Sequence, residues 1–204
     1  MLTLPRLYAI ADAGSFPDSA ALCRFAQELV AGGVTLVQYR NKSGRARLML
    51  EQARELKRVL PESVCLVMND RADVCLAADY AGLHVGQDDL SPTAARLVIG
   101  PDRWLGVSTH SPEQLREADD SPADYVAIGP VFATLSKEKP DPVVGLEGVR
   151  RARQLTRKPL VAIGGITRQN ARSVIEAGAD SVAVISDLLS TSRHAAEDFS
   201  RILG

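Results

Sequence analysis

A surplus of either charge is missing from this chain: 24 lysines and arginines face 25 aspartates and glutamates, for a net charge of −1 over 204 residues. That balance leaves no electrostatic footprint for nucleic acid, and 4% aromatics offer few rings for stacking bases. Cysteine is scarce as well. Cys23, Cys65 and Cys75 stand singly in apolar segments without CxxC spacing. They read as reduced thiols in a cytoplasmic protein, not as a disulfide framework or a zinc site. Long apolar runs are absent from the start of the chain. Pro5, Arg6 and Asp12 interrupt it too soon for a signal peptide or a membrane span. The expected partners are small molecules, with no nucleic acid and no membrane; composition leaves the oligomeric state open.

What is present is 46% hydrophobic residues, enough for one sizeable core, and a single domain over 1–204 is expected. Short apolar bursts recur at 6–10, 34–39, 64–68, 82–85, 103–107, 125–129, 160–164 and 181–185. Between them lie segments of helical spacing. Leu22, Phe25, Ala26, Leu29 and Val30 form one apolar stripe; Leu48, Leu50, Ala53, Leu56 and Leu60 form a rougher one before Pro61. Further helices fit 71–78, 91–98, 111–118, 145–155, 168–177 and 187–202. Ser91-Pro92 and Ser111-Pro112 each put an N-cap before an N1 proline.

Eight strand–helix alternations of roughly 25 residues predict an α/β fold, a single (β/α)8 barrel, with a doubly wound open sheet as the alternative. Polar residues at the strand ends favour the barrel, because a barrel gathers those ends at one mouth. Strand two carries Gln38 and Arg40 on one face with Lys42 beyond, a pattern suited to an anion bearing a polar ring. Asn69 and Asp70 close strand three, and Asp88 and Asp89 follow strand four. Two carboxylates beside cations suit Mg²⁺, which takes one or two carboxylates plus substrate phosphates. The plainer alternative has Asp88 and Asp89 capping the helix near Ser91 and Asp70 bridging to Arg71 or Arg40. Gly164 and Gly165 after strand seven, and Ser186 with a helix starting at Asp187 after strand eight, fit a phosphate clamp; the plainer alternative is a tight turn. The longest irregular stretch is 129–145. His84 reads as a satisfied core or mouth residue and not a ligand, Trp104 and Tyr125 as packing residues, the basic run Arg150 to Lys158 as a solvated face, and Asp12 as a loop cap.

Taken together, QYRNK (38–42), MNDR (68–71), HVGQDD (84–89), GVSTH (106–110), GPVFATLSK (129–137), AIGGI (162–166) and AVIS (183–186) resemble the thiamine phosphate synthase/TenI family, from about residue 7 to 186. The resemblance implies a (β/α)8 barrel that joins hydroxymethylpyrimidine diphosphate to thiazole phosphate, releasing pyrophosphate, with Mg²⁺. It implies that Gln38 contacts the aminopyrimidine, and that Arg40, Lys42, Asn69, Ser108 and Lys137 hold the diphosphate. Of these, Arg40, Lys42, Lys137 and Ser108 would carry the catalysis. Asp70 and Asp89 would ligate Mg²⁺. Thr134, Ser136, Gly165, Ile185 and Ser186 would cradle the thiazole phosphate. The family usually has threonine at position 136, and serine keeps its hydroxyl. The stretch KEKPDPVVGLEGV from Lys137 resembles TenI-type relatives, which include thiazole tautomerases that transfer protons with a histidine at the position of His110. A tautomerase, or a non-catalytic binder of a phosphorylated ligand, is the alternative. Neither needs the set Arg40, Lys42, Asp70, Asp89 and Lys137.

Overall fold

The computed structural model of the chain describes residues 2–134 and 141–204. Its strands are β1 (Leu7–Asp12), β2 (Leu36–Arg40), β3 (Cys65–Asn69), β4 (Gly82–Val85), β5 (Trp104–Thr109), β6 (Tyr125–Ile128), β7 (Leu160–Ile163) and β8 (Ser181–Val184). They pair in parallel in chain order and β8 closes on β1, giving a closed barrel and not the open sheet. The helices α1 (Ser19–Ala31), α2 (Ala46–Val59), α3 (Ala72–Ala77), α4 (Pro92–Ile99), α5 (Pro112–Asp120), α6 (Gly145–Leu155), α7 (Ala171–Glu176) and α8 (Ser192–Leu203) follow the strands in turn. None of the described helices is long and apolar enough to cross a membrane.

The starts of α4 and α5 follow from their sequence. Ser91 accepts from the Ala94 N–H and Ser111 from the Gln114 N–H, each at 3.3 Å, with Pro92 and Pro112 where no N–H is needed. Asp18 caps α1 through the Ala21 N–H at 2.7 Å. Pro61 stops α2 by forcing Leu60 into an extended conformation. The buried stripe of α2 is Met49, Gln52, Ala53 and Leu56, one step away from the expected Leu48–Leu50 line. The true period is hidden by a polar member. Gln52 is buried because its carbonyl accepts from Tyr39 Oη at 2.6 Å and Asn41 Nδ2 at 2.9 Å. The helix expected over 187–202 also divides: Ser186–Leu188 make one 3₁₀ turn, and α8 begins only at Ser192. Arg153 departs from the solvated face expected for its run, because it is half-buried against Asp180 and the Lys158 carbonyl.

Strand alternation divides the core in two. Val37, Met68, Leu83, Val107, Val126 and Val182 face outward onto the helices. Tyr8, Ile10, Leu36, Val67, Tyr125, Ala127, Val161 and Ala183 fill the barrel itself. Filling it depends on one glycine. Gly106 on β5 pairs in register with Tyr125 on β6, and a Cβ there would lie 2.1 Å from the Tyr125 ring. Gly106→Ala is expected to cost about 1–3 kcal/mol through overpacking. Gly14→Ala, whose Cβ meets only Asp12 Oδ1 at 3.5 Å, should change stability by less than about 1 kcal/mol. Urea unfolding of the two variants side by side checks the difference.

Candidate active site

The C-terminal ends of β2 to β5 bring one group of predicted residues together on adjacent strands. Arg40 is the register neighbour of Asp12 on β1, and its guanidinium is ion-paired to that carboxylate. Asp12 also accepts from the Gly14 N–H at 3.1 Å. It is therefore more than the loop cap expected from the sequence. Lys42, just past β2, reaches across to Asp70 past β3. That corrects the expected bridge from Asp70 to Arg71 or Arg40, since Arg71 turns to Asp73 and Arg40 to Asp12.

Asp70 sits in the left-handed region at φ 62°, a conformation that aspartate tolerates better than most residues. Hydrogen bonds hold it there: its N–H donates to the His84 carbonyl at 2.8 Å, and the Arg71 N–H donates to the Asn69 carbonyl at 2.8 Å. Asn69, beside it, is buried, and its Nδ2 is the buried side-chain nitrogen left without a hydrogen-bond partner among the described residues. A buried donor in that condition is costly unless a ligand completes it.

Asp89 does not cap α4, a role Ser91 fills. Its carboxylate closes its own loop by accepting from the Gly86 N–H at 2.7 Å. Burial pushes the Asp89 carboxyl up, helped by a hydrogen bond and like charge from Asp70. The two carboxyls thus touch at a partly buried spot. Among the described residues no cluster holds three or more histidine, cysteine, aspartate or glutamate side chains. Two adjacent carboxyls beside Lys42 are a donor set that fits a hard dication completing its shell with water and substrate oxygens.

Below this rim a polar chain crosses the barrel. Gln38 Nε2 donates to Tyr8 Oη at 2.9 Å, and Tyr8 Oη lies 3.0 Å from Tyr125 Oη. Tyr125 Oη lies 3.0 Å from His84 Nδ1, and His84 Nε2 lies 2.8 Å from Ser108 Oγ. Burial pushes both phenols up, so they remain O–H donors. Burial also pushes the His84 ring down to about 4, against a smaller opposite pull from Asp89. Tyr8 and Tyr125 are the functional candidates that sequence reading missed. The available signal was a tyrosine on an inward strand face, where a phenol must find a partner.

The second group comes from β6 to β8. Gly164 and Gly165 adopt φ 99° and 64°, and a Cβ on either would lie 2.5 Å from residues 130–133. Glycine lets this turn press against the loop after β6, where the Val131 N–H donates to the Ile163 carbonyl at 2.8 Å and the Phe132 N–H to the Gly164 carbonyl at 3.0 Å. Thr134 ends the described part of that loop and is half-buried; Ser136 and Lys137 lie outside the described residues. Asn170 Nδ2 holds the Gly165 carbonyl at 3.0 Å. Ile185 and Ser186 follow β8 and enter the single 3₁₀ turn in place of a long helix. Asp187 in that turn is engaged by the Arg168 N–H at 2.8 Å and Nε at 3.1 Å, which ties the loops after β7 and β8. His110 donates from Nδ1 to the Gly129 carbonyl at 2.6 Å, with Nε2 at 3.5 Å from Asp141.

Fold and rim together define a (β/α)8 barrel with two anion-suited arcs at one mouth, the first holding cations and paired carboxylates. The family profile described as thiamine monophosphate synthase matches residues 7–188. The chain is 64% identical over 205 residues to the thiamine-phosphate synthase of Koribacter versatilis, covering 99% of this chain and 97% of that one. It is 40% identical over 185 residues to that of Shouchella clausii, covering 90% and 88%. The solved thiamine phosphate pyrophosphorylase from Pyrococcus furiosus superposes with a TM-score of 0.86 at 34% identity, covering 97% and 95%. The chain belongs to the thiamine monophosphate synthase family.

The lowered His84 pKa carries a stability consequence. A histidine whose folded pKa lies below its ordinary 6.5 contributes fully above that pH, and the contribution is lost as pH falls towards about 4. Over that window the metal-free wild type should lose about 3 kcal/mol more than His84→Gln, measured by urea unfolding. Equal slopes in the two proteins would show that the ring does not stay neutral on folding.

Proposed function

We propose that this chain condenses 4-amino-2-methyl-5-hydroxymethylpyrimidine diphosphate with thiazole phosphate, giving thiamine phosphate and pyrophosphate. It is a transferase of an alkyl or aryl group other than methyl. The observation that carries the reading is the first arc: Arg40, Lys42, the Asn69 Nδ2 without a partner among the described residues, and the touching Asp70 and Asp89 carboxyls on adjacent strand ends. The tautomerase and regulator readings leave that set without a use. Three free thiols and the small-molecule chemistry suit a cytoplasmic enzyme.

The reaction breaks the bond between the pyrimidine methylene carbon and the diphosphate oxygen, and the bond's electron pair leaves with the diphosphate. The amino group of the ring feeds electrons towards the carbon, and the thiazole nitrogen lone pair then forms the new carbon–nitrogen bond. No protein nucleophile is required. Arg40 has five donors, so it can keep Asp12 and still offer others to the diphosphate. Lys42, Asn69 and the Ser108 hydroxyl add donors on the same arc, and Lys137 is assigned to the same anion. These preorganised groups favour the charge that develops on the leaving oxygen. Gln38 faces the aminopyrimidine. Asp70 and Asp89 would hold Mg²⁺, which when bound supplies further positive charge to the diphosphate. Thr134, Ser136, Gly165, Ile185 and Ser186 hold the thiazole phosphate so that its nitrogen lies behind the reacting carbon. Incubation with both substrates and Mg²⁺ should release pyrophosphate and thiamine phosphate in equal amounts; absence of both products would overturn the assignment.

Asp70→Asn and Asp89→Asn should each reduce turnover far more than Asp88→Asn, because only the first two face the shared carboxylate site. Small, equal losses for all three at saturating Mg²⁺ would remove the metal assignment. The two arcs should also separate kinetically. Arg40→Ala is expected to lose roughly 2–4 kcal/mol of transition-state stabilisation, or about 30- to 1000-fold in kcat/KM for the pyrimidine diphosphate. Ser186→Asp should act mainly on KM for the thiazole phosphate, by placing like charge against it. Equal effects of both changes on one substrate would contradict the partition.

A further inference from the structure

The polar chain beneath the rim has a direction. Its members Gln38, Tyr8, Tyr125 and His84 are all buried, at 4%, 1%, 0% and 8% exposure, so each phenol and ring hydrogen must be used within the chain. With the Gln38 amide nitrogen donating, the Tyr8 oxygen is the acceptor, and the Tyr8 hydrogen goes to the Tyr125 oxygen. The Tyr125 hydrogen then goes to His84 Nδ1. A ring nitrogen that accepts carries no hydrogen, so the imidazole proton sits on Nε2 and is donated to Ser108 Oγ. The Ser108 oxygen is thereby occupied as an acceptor and its own hydrogen is left for the mouth. The opposite direction would start from the Gln38 carbonyl and run the Ser108 hydrogen down into His84. It would then present serine lone pairs to an anion. A doubly protonated ring would bury a cation whose side-chain hydrogen bonds go only to neutral hydroxyls.

We infer that His84 is a positioning residue: the chain from Gln38 through Tyr8 and Tyr125 locks it as the Nε2–H tautomer, which fixes Ser108 as a hydrogen-bond donor to the departing diphosphate. This rests on the reading that Ser108 faces that anion. Gln38, on β2, and Ser108, on β5, would thus be linked across the barrel, so the residue assigned to the pyrimidine and the one assigned to the diphosphate share one hydrogen-bond polarity. Register supports the rigidity this needs: Asn69 pairs with His84, His84 with Gly106, and Gly106 with Tyr125, along four neighbouring strands.

Two measurements test it. In protein labelled with ¹⁵N-histidine, the wild-type His84 ring should show a protonated Nε2 and a bare Nδ1, and Tyr125→Phe should abolish that single-tautomer signature. A wild-type ring protonated on Nδ1 overturns the inference, and this holds even where a variant fails to fold. The second measurement is a double-mutant cycle on kcat. Ser108→Ala and His84→Asn should each lower kcat about 10- to 100-fold, the size of a lost hydrogen bond to a charged group. In the Ser108→Ala background, His84→Asn should cost less than about twofold more, because its effect passes through the serine. His84→Gln, which keeps an amide donor near the Nε2 position, should recover part of the loss. Full multiplicative losses in the double variant overturn the relay while leaving the Ser108 assignment intact. A silent Ser108→Ala in an enzyme that still makes thiamine phosphate overturns both the relay and the diphosphate contact on which it rests. Absence of thiamine phosphate from the wild type overturns the activity itself.

Discussion

A closed barrel has no sheet edge to release a misplaced polar group, so inward-facing donors and acceptors must satisfy one another or a ligand. This constraint shapes the barrel interior. Leu36, Val67 and Val161 there ask for nothing but space. Two tyrosines, a glutamine and a histidine stand among them, and their hydrogen bonds run unbroken from β2 to β5. Asn69, the register neighbour of His84, breaks the pattern, because its buried nitrogen has no partner among the described residues.

The rim is built from charged side chains held close together, two opposed pairs and one like pair. Arg40 leans on Asp12, Lys42 on Asp70, and Asp70 on Asp89. Pairing already orders each long cationic side chain, so an anion bound here would lose less entropy in ordering them. Such an anion would have to compete with the carboxylates already present. Under the proposed function a diphosphate carries the charge to do so, and a dication between Asp70 and Asp89 would ease it further.

The barrel was legible because parallel strands covered by helices leave short apolar bursts at even spacing, and all eight bursts became strands. The cations and carboxylates of the first arc were legible because they follow strands, and strand ends in a barrel converge. Four things were not. The partners of Asp12, Asp70 and Asp89 depended on which strands lie side by side, which no local pattern encodes. Ala53, Leu56 and Leu60 of the expected α2 stripe are buried, but its first turns were misread, because Gln52 is buried for its hydrogen bonds and periodicity counts only apolar residues. Tyr125 was read as packing, although its ring does pack, because nothing in YVAI reveals that its hydroxyl ends between Tyr8 and His84. The turn after β8 was read as the start of a helix, since the pause between Leu188 and Ser192 carries no proline or glycine to mark it.

Gly106 and Tyr125 occupy one volume, with the ring lying where a side chain at 106 would begin. The pair is consequently a single heritable unit. A lineage that gains a methyl group at 106 must shrink residue 125, and a smaller residue there has no hydroxyl to span the gap from Tyr8 to His84. The route from one workable sequence to another therefore passes through a barrel interior with a severed polar chain, and drift at this glycine is restrained by chemistry on the other side of a tyrosine ring.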